Sequence, residues 1–446
     1  MAVEQGVSKY KIATRSSKRI SRRIAPNLDW LTVFLYFLLV SLGWMNIYAA
    51  VYSPDNVVNI FSFDINSGKQ LVWIGTSLVL ILVLLVVDYK IYEHLAYPIY
   101  GFVILLLLFT LAVASPIAGS RSWLDLGGGV RLQPAELAKF ATALAASKFL
   151  STSNLRQQQW KDHMILAAIT LLPPAIIILQ NETGSALVFA AFVIAYFREG
   201  MSPLILVIGG VSAFIFIMTL LVPKLYLIIG IVVLMVLAVW LDYRLMRRLK
   251  MMAALLLLIV GMVFSVDYFV NDVLQPHQQN RIRALINPEA DPLGFGWNVT
   301  QSKIAIGSGG FFGKGFLEGT QTKFDFVPEQ STDFIFCTIG EEHGWIGSTL
   351  LIALFMVLLI RIVYIAERQK SVFGRTYGYC VASIIFFHFL VNVGMTIGLA
   401  PVVGIPLPFF SYGGSSLWSF TILLFILLAI DAYRTQELVR SNKMNR

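Results

Sequence analysis

The sequence predicts an all-α, polytopic integral membrane protein: a helical bundle of about 12 spans with one large loop on the outer side. Three observations carry that expectation. Only 13% of the 446 residues are charged and 57% are hydrophobic, whereas soluble domains carry about 25% charge. Apolar runs long enough to cross a bilayer recur along the chain. The basic residues gather between those runs, so the net charge of +9 is read as contact with anionic lipid and not with nucleic acid.

In order, a basic tail over 1–29 precedes apolar runs at 30–51, 70–88, 97–115, 135–150, 163–180, 183–199, 203–222, 225–242, 250–270, 333–363, 374–398 and 415–432. The first run is long enough to remain as a span, so no cleaved leader is expected. The run at 135–150 is short and polar-tipped. The chain divides into the tail, an N-terminal part of the membrane core (30–224), a hairpin (225–270), a large outer loop (271–332), a C-terminal part of the core (333–432) and a second tail (433–446).

Orientation follows from lysine and arginine in short connections. The first tail holds Lys9, Lys11, Arg15, Lys18, Arg19, Arg22 and Arg23. The connection at 243–249 holds Arg244, Arg247 and Arg248; that at 361–375 holds Arg361, Arg368, Lys370 and Arg375; the last tail holds Arg434, Arg440, Lys443 and Arg446. Twelve spans put all four on one side, expected to be the cytoplasm, and leave 271–332 outside. Trp297 and several phenylalanines suggest that this loop packs against the membrane core.

Cys337 and Cys380 lie in apolar runs without paired spacing, and the five histidines form no HExxH. Neither a disulfide framework nor a zinc motif is expected. Charge inside spans is costly and marks function by default. Glu136 and Lys139 in QPAELAKF share a helix face; they form either a salt bridge between helices or the wall of a charged cavity. Asp291 in NPEADPLGFGWN is either a turn residue or a catalytic carboxylate, with Arg281 and Arg283 shortly before it as phosphate partners. Glu182 and Asp333 stand at outer span ends, as helix caps or as acids in catalysis. The stretch GLAPVVGIPLPFFSYGGSSL (398–417) breaks the helical pattern, and such backbone survives at membrane depth only when buried in protein or lining a cavity. GSGGFFGKG is not a phosphate-binding loop, because Lys314 is followed by Gly315 instead of Ser or Thr.

Together these segments resemble the RodA/FtsW (SEDS) family of bacterial peptidoglycan polymerases. GIPLPFFSYGGSSL (404–417) carries the resemblance most strongly, then residues 287–321 and VPEQSTDFIFCTIGEEHG (327–344). SWLDLGGGVRLQPAELAK (122–139) and QNETGSALVF (180–189) add to it. GTQ at 319–321 is similar to the RodA, or elongation, branch. The family core has ten spans, so 225–270 reads as an added pair. Ser331 stands where the family often has histidine. Arg121 is displaced by one residue from its usual place beside Trp123, and the QPD-type motif reads QNE.

The resemblance implies an inverting transfer in which lipid II is polymerised into β-1,4 glycan. Asp291 matches the family's essential aspartate and is the expected general base. Lys139 and Arg281 are the expected cations for the pyrophosphate, with Glu136 orienting Lys139. Gln301, Ser302, Thr320, Gln321, Glu329, Asp333 and Ser411 are expected at the substrate site. No cofactor is demanded, though a divalent cation (magnesium or manganese) is compatible with the chemistry. A class B penicillin-binding protein is the expected partner, and the bacterial cytoplasmic membrane the location, with both termini inside. A flippase or transporter, a scaffold for the transpeptidase and the division-site FtsW branch are the rival readings.

Overall fold

The computed structural model describes residues 27–53, 59–116, 119–127, 130–153, 160–241, 249–273, 279, 295–324 and 326–444. Asp291, Arg281 and Arg283 lie outside them, as do residues 243–248 of the basic connection 243–249. The helices are α1 (Trp30–Val51), α2 (Asn66–Val86), α3 (Tyr89–His94), α4 (Ala96–Val113), α5 (Pro134–Thr152), α6 (Trp160–Leu179), α7 (Thr183–Leu187), α8 (Phe192–Arg198), α9 (Pro203–Leu221), α10 (Lys224–Leu241), α11 (Leu249–Tyr268), α12 (Phe295–Ser308), α13 (Thr320–Lys323), α14 (Ile335–Glu367), α15 (Val372–Thr396) and α16 (Gly414–Met444). One small hairpin, β1 (Leu124–Asp125) and β2 (Arg131–Leu132), precedes α5. Helix is present at all twelve predicted positions. Length and apolarity qualify ten of these as candidate spans. The other two are α5, which carries Glu136, Lys139 and Lys148, and the shorter apolar run Thr183–Arg198.

The chain forms two compact units. The larger comprises Met1–Met201, Ser302–Thr396 and Val403–Arg446. Its helices start where the sequence supplies caps. Asp29 accepts from the Thr32 backbone at 3.1 Å and from its hydroxyl at 2.9 Å, and Pro134 opens α5 at a position where a missing N–H costs nothing. α5 is enclosed on all sides. Ala135, Ala138, Ala141, Ala143, Ala145 and Ala146 are all buried, and such small side chains let neighbouring helices approach closely. α16 is the other central helix, with Phe420, Leu423, Leu424 and Leu427 buried. Tyr36 of α1 meets Thr421 of α16 through their hydroxyls at 2.9 Å.

One end of this unit is an ion network. Asp29 binds Arg361 at 2.7 Å and Arg368 at 3.0 Å. Arg368 also pairs with Asp431, which Arg434 reaches at 3.1 Å. Arg375 grips Glu199 through two bonds of 2.8 Å. The start of α1, the α14–α15 connection and the end of α16 therefore share one end, as the basic residues predict. Most of these arginines are neutralised by acids here, which fits an orientation rule that counts Lys and Arg and not net charge.

The smaller unit comprises Ser202–Gln301 and Ile397–Val402. Ser202 caps α9, accepting from Leu204. Lys224 at the start of α10 pairs with Asp267 near the end of α11, so the two helices run antiparallel, and Asn271 donates to the same aspartate at 3.0 Å.

Candidate functional site

The centre of the larger unit is built on α5. Glu136 and Lys139 stand one turn apart, and Nζ lies 2.5 Å from Oε1 with both side chains enclosed. α15 supplies a third member. His388 Nε2 is 2.8 Å from Lys139 Nζ, and its Nδ1 is 3.1 Å from the Pro406 carbonyl. A carbonyl can only accept, so Nδ1 carries the proton and the Nε2 lone pair accepts from the ammonium. Phe420 packs its ring 5.5 Å from Nζ, and Ser419 donates to the Glu136 carbonyl at 2.6 Å. Lys139, expected to face an anionic ligand, has no exposed surface and directs its donors at Glu136 and His388.

One turn beyond His388, Asn392 donates to the carbonyls of Ile405 and Asp333, each at 2.8 Å. α15 thus holds two successive carbonyls of the irregular segment that leads into α16. That segment is buried in protein, as helix-breaking backbone at membrane depth requires: Ile405, Leu407, Phe409 and Phe410 are enclosed. Ser411 Oγ accepts from the Leu407 backbone at 2.9 Å and so closes the turn on itself. Tyr412 donates its N–H to the Ser331 carbonyl at 2.9 Å, and Gly413 donates to Gln70 Oε1 at 3.2 Å. Gly184 explains how α7 comes so close, for a Cβ there would sit 2.1 Å from the Val403 carbonyl oxygen.

Glu182 occupies the N-cap position of α7, yet its carboxylate takes no backbone N–H there. It accepts instead from Gln133 Nε2 and, at 2.5 Å, from Ser185. Burial pushes this carboxyl above its ordinary range; the hydroxyls of Ser122 and Ser185 oppose the rise and the charge of Glu136 adds to it. Arg121 is held through its backbone, donating to the Gln180 carbonyl at 2.9 Å.

Residues 310–315 dock on a break in α14. Gly344 has φ +61° inside that helix, a left-handed conformation for which glycine is suited. Gly310 and Phe311 accept there from the N–H groups of Trp345 and Ile346. Lys314 and Gly315 donate their N–H groups to the carbonyls of Glu341 and Glu342 at 3.1 and 2.9 Å. These donors are therefore committed to helix and not to phosphate. Thr320 and Gln321 are tied by their N–H groups to the Glu341 carboxylate. Ser302 donates to the Thr396 carbonyl at 2.8 Å, and Gln301 precedes it on α12. Glu329 is exposed, with φ +54°; its carbonyl gathers the N–H groups of Thr332, Asp333 and Phe334.

A single hydrogen-bonded chain thereby links the motif segments. It runs from Glu341 to the turn at 319–322, where the Thr322 carbonyl accepts from Gln330 at 2.8 Å. From Ser331 it passes to Tyr412, and from Asp333 and Pro406 to α15 and Lys139. His388, Asn392, Gln330, Gln133 and the Glu341–Glu342 pair were not singled out from sequence. The rule that intramembrane charge marks function would have found the last two. Among the described residues no three His, Cys, Asp or Glu side chains assemble as a metal site.

The fold and this network define a multi-pass membrane protein with a buried polar network. A family model for the FtsW, RodA and SpoVE proteins, described as cell cycle protein, matches residues 29–247 and 224–436. The peptidoglycan glycosyltransferase RodA of Treponema pallidum is 33% identical over 438 residues, covering 92% of this chain and 99% of that protein. A chain from a structure of a peptidoglycan synthase complex that coordinates polymerization and crosslinking aligns with TM-score 0.65 and 28% identity, over 92% of this chain and 99% of its own length. The crystal structure of Thermus thermophilus RodA, a rod shape determining protein, aligns with TM-score 0.60 and 26% identity, over 91% and 97%. The chain belongs to the FtsW/RodA/SpoVE, or SEDS, family.

Proposed function

We propose that this chain is a peptidoglycan glycosyltransferase of the RodA type, polymerising lipid II into β-1,4 glycan during cell elongation and shape maintenance. The observation that carries the reading is the joining of the family's motif segments into one network, in a chain one third identical to a RodA over nearly its whole length. In this reading the protein lies in the bacterial cytoplasmic membrane with both termini in the cytoplasm, at the end bearing the Asp29–Arg361 network. A class B penicillin-binding protein is the partner that crosslinks the product; the similarity to a chain of a synthase complex supports this.

The chemistry follows from where charge moves. The 4-hydroxyl oxygen of one disaccharide attacks the anomeric carbon of another, whose bond to the pyrophosphate oxygen breaks. The electron pair departs with the undecaprenyl pyrophosphate, and the hydroxyl proton goes to Asp291. Arg281 meets the developing charge on the leaving group. Lys139 acts from beneath, through His388 and the Pro406 carbonyl, as the holder of the irregular segment.

The test is glycan formation from purified lipid II by the protein with its transpeptidase partner. Asn keeps the size and turn-forming capacity of Asp but does not take up the proton, so Asp291→Asn should fold and lose roughly 100-fold or more in rate. Near-normal polymerisation by the folded variant would move the base to Glu182, Glu329 or Asp333. Absence of polymerisation by the unaltered protein and its partner would sink the reading itself.

A further inference from the structure

Glu182 is a second carboxyl beside the Glu136–Lys139 pair, and it takes no part in the transfer described above. Its two oxygens have different surroundings. Oε1 takes two donors, the Gln133 side-chain amide and the Ser185 hydroxyl, which fill both lone pairs of a carbonyl-type oxygen. Oε2 is enclosed and receives none, although the Ser122 hydroxyl stands beside the carboxyl. An ionised carboxyl would leave that oxygen charged and unmatched, the least favourable way to bury an acid.

Ser122 has no hydrogen to give. The Gln180 carbonyl can only accept, so the single hydroxyl hydrogen of Ser120 goes to it across 3.1 Å. The 2.8 Å contact between the two serines is then Ser122 donating to Ser120. Ser122 is fully enclosed, and toward Glu182 it can only accept, so a hydrogen bond between them needs the hydrogen on the carboxyl. Charge gives the same answer. Lys139, the cation that acts on Glu182, is paired with Glu136, and one ammonium balances one carboxylate. The other elements packed here add no counter-charge. α7 has no ionisable side chain, residues 398–413 have Tyr412 alone, and α6 carries Lys161, Asp162 and His163 at its opposite end. Arg121, Asp125 and Arg131 are exposed.

We infer that Glu182 works as a neutral acid, with its proton on Oε2 toward Ser122, and that in this form it is a positioning residue for the Glu136–Lys139 pair. The proton lets one side chain join three pieces: Ser122 ahead of the β-hairpin, Gln133 at the start of α5 and Ser185 on α7. Gln133 is held on its other side as well, its N–H donating to Ser415 of α16 at 3.0 Å. Glu136 follows one turn later, so the neutral acid sets where the pair begins. Ionised Glu182 would repel Glu136 and release Ser122. The effect on turnover rests on the reading of the chain as a lipid II polymerase; the proton does not.

The experiment uses the full chain in lipid nanodiscs, with its transpeptidase partner and lipid II for turnover. Glu182→Gln is the stand-in, because an amide offers an acceptor and a donor and is uncharged at every pH. At neutral pH the infrared difference between wild type and Glu182→Gln should show a protonated-carboxyl band present in wild type alone. Melting in detergent should show wild type losing Tm relative to Glu182→Gln as pH rises from 4.5. A carboxyl held above its ordinary 4.5 gives stability that is fully present below that value and lost as pH rises through the raised one. Turnover by Glu182→Gln should stay within about threefold of wild type, whereas Glu182→Ala should lose about tenfold in kcat per folded protein. Should Glu182→Ala fail to fold, Gln133→Met cuts the same link and should lose about as much. No infrared difference, a Tm gap that holds or widens in favour of wild type, or a folded Glu182→Gln protein slowed tenfold or more overturns the inference. Unchanged kcat in folded Glu182→Ala or Gln133→Met overturns the positioning role. Wild type that fails to polymerise lipid II removes the proposed activity, and the infrared and melting results, which need no substrate, still decide the proton.

Discussion

A lysine without exposed surface persists only where its charge is met, and Lys139 is met from two helices. Lys139→Met would leave Glu136 buried beside no cation, a loss of about 3–5 kcal/mol. Adding Glu136→Gln removes the stranded charge, so the double variant should recover most of the melting temperature. Turnover of lipid II should stay low in both, because neither keeps an ammonium on His388. Thermal melting and polymerisation measured together decide this; full turnover by the double variant would reduce the pair to a structural pin. The pair itself was legible, since residues three apart on a helix share a face. His388 was not, because it lies 249 residues from Lys139 and a lone apolar-helix histidine carries no local signal. Asp291 was legible only through resemblance, as its own neighbourhood reads equally well as a turn.

At the scale of elements, helix starts and ion pairs fix which ends lie together. Asp29 caps α1 and receives both Arg361 and Arg368. Burial works against its ionisation, but the hydrogen bonds from Arg361 and Thr32 prevail and hold the carboxyl at about 2, below the ordinary 3.8. A pKa lower in the folded state than in the unfolded one gives stability that is present above 3.8 and lost as pH falls through about 2. Asp29→Asn lacks this contribution at every pH. The difference in Tm between wild type and variant should therefore hold steady above 3.8 and narrow toward 2, followed by melting in detergent across that range. A gap that does not narrow would remove Asp29 as the titrating anchor. The caps and helix positions could be read from the sequence because apolar runs and cap residues are local; the partner arginines, more than 300 residues away, could not.

For the whole molecule, the even placement of basic connections predicts that residue 247 faces the cytoplasm and residue 289 the outside. Cys337 and Cys380 are buried and unpaired, so an impermeant thiol reagent should report on introduced cysteines alone. In cells whose outer barrier is permeabilised, Glu289→Cys should label and Arg247→Cys should not; the reverse pattern would invert the topology. Order along the chain was enough to place the twelve helical positions. It was not enough to show that five distant motifs share one hydrogen-bonded chain, since that depends on contacts across the bundle.

The break at Gly344 settles a question of length. Two contacts tie α14 to α1: Arg361 to Asp29 at one end and the Ile335 carbonyl to Asn46 at the other. Along α1 those points are roughly 17 residues apart, a rise of about 26 Å, whereas along α14 they are roughly 26 residues apart, or about 39 Å if straight. A continuous rod would overshoot by about 13 Å. Measured from Gly344 onward, however, the distance to Arg361 is again roughly 17 residues. The surplus is the stretch from Ile335 to His343, which the non-helical Gly344 sets off from the rest of α14. Glu341 and Glu342 thus belong to the first segment of α14, and the uncharged run from Trp345 to Ile360 belongs to the second.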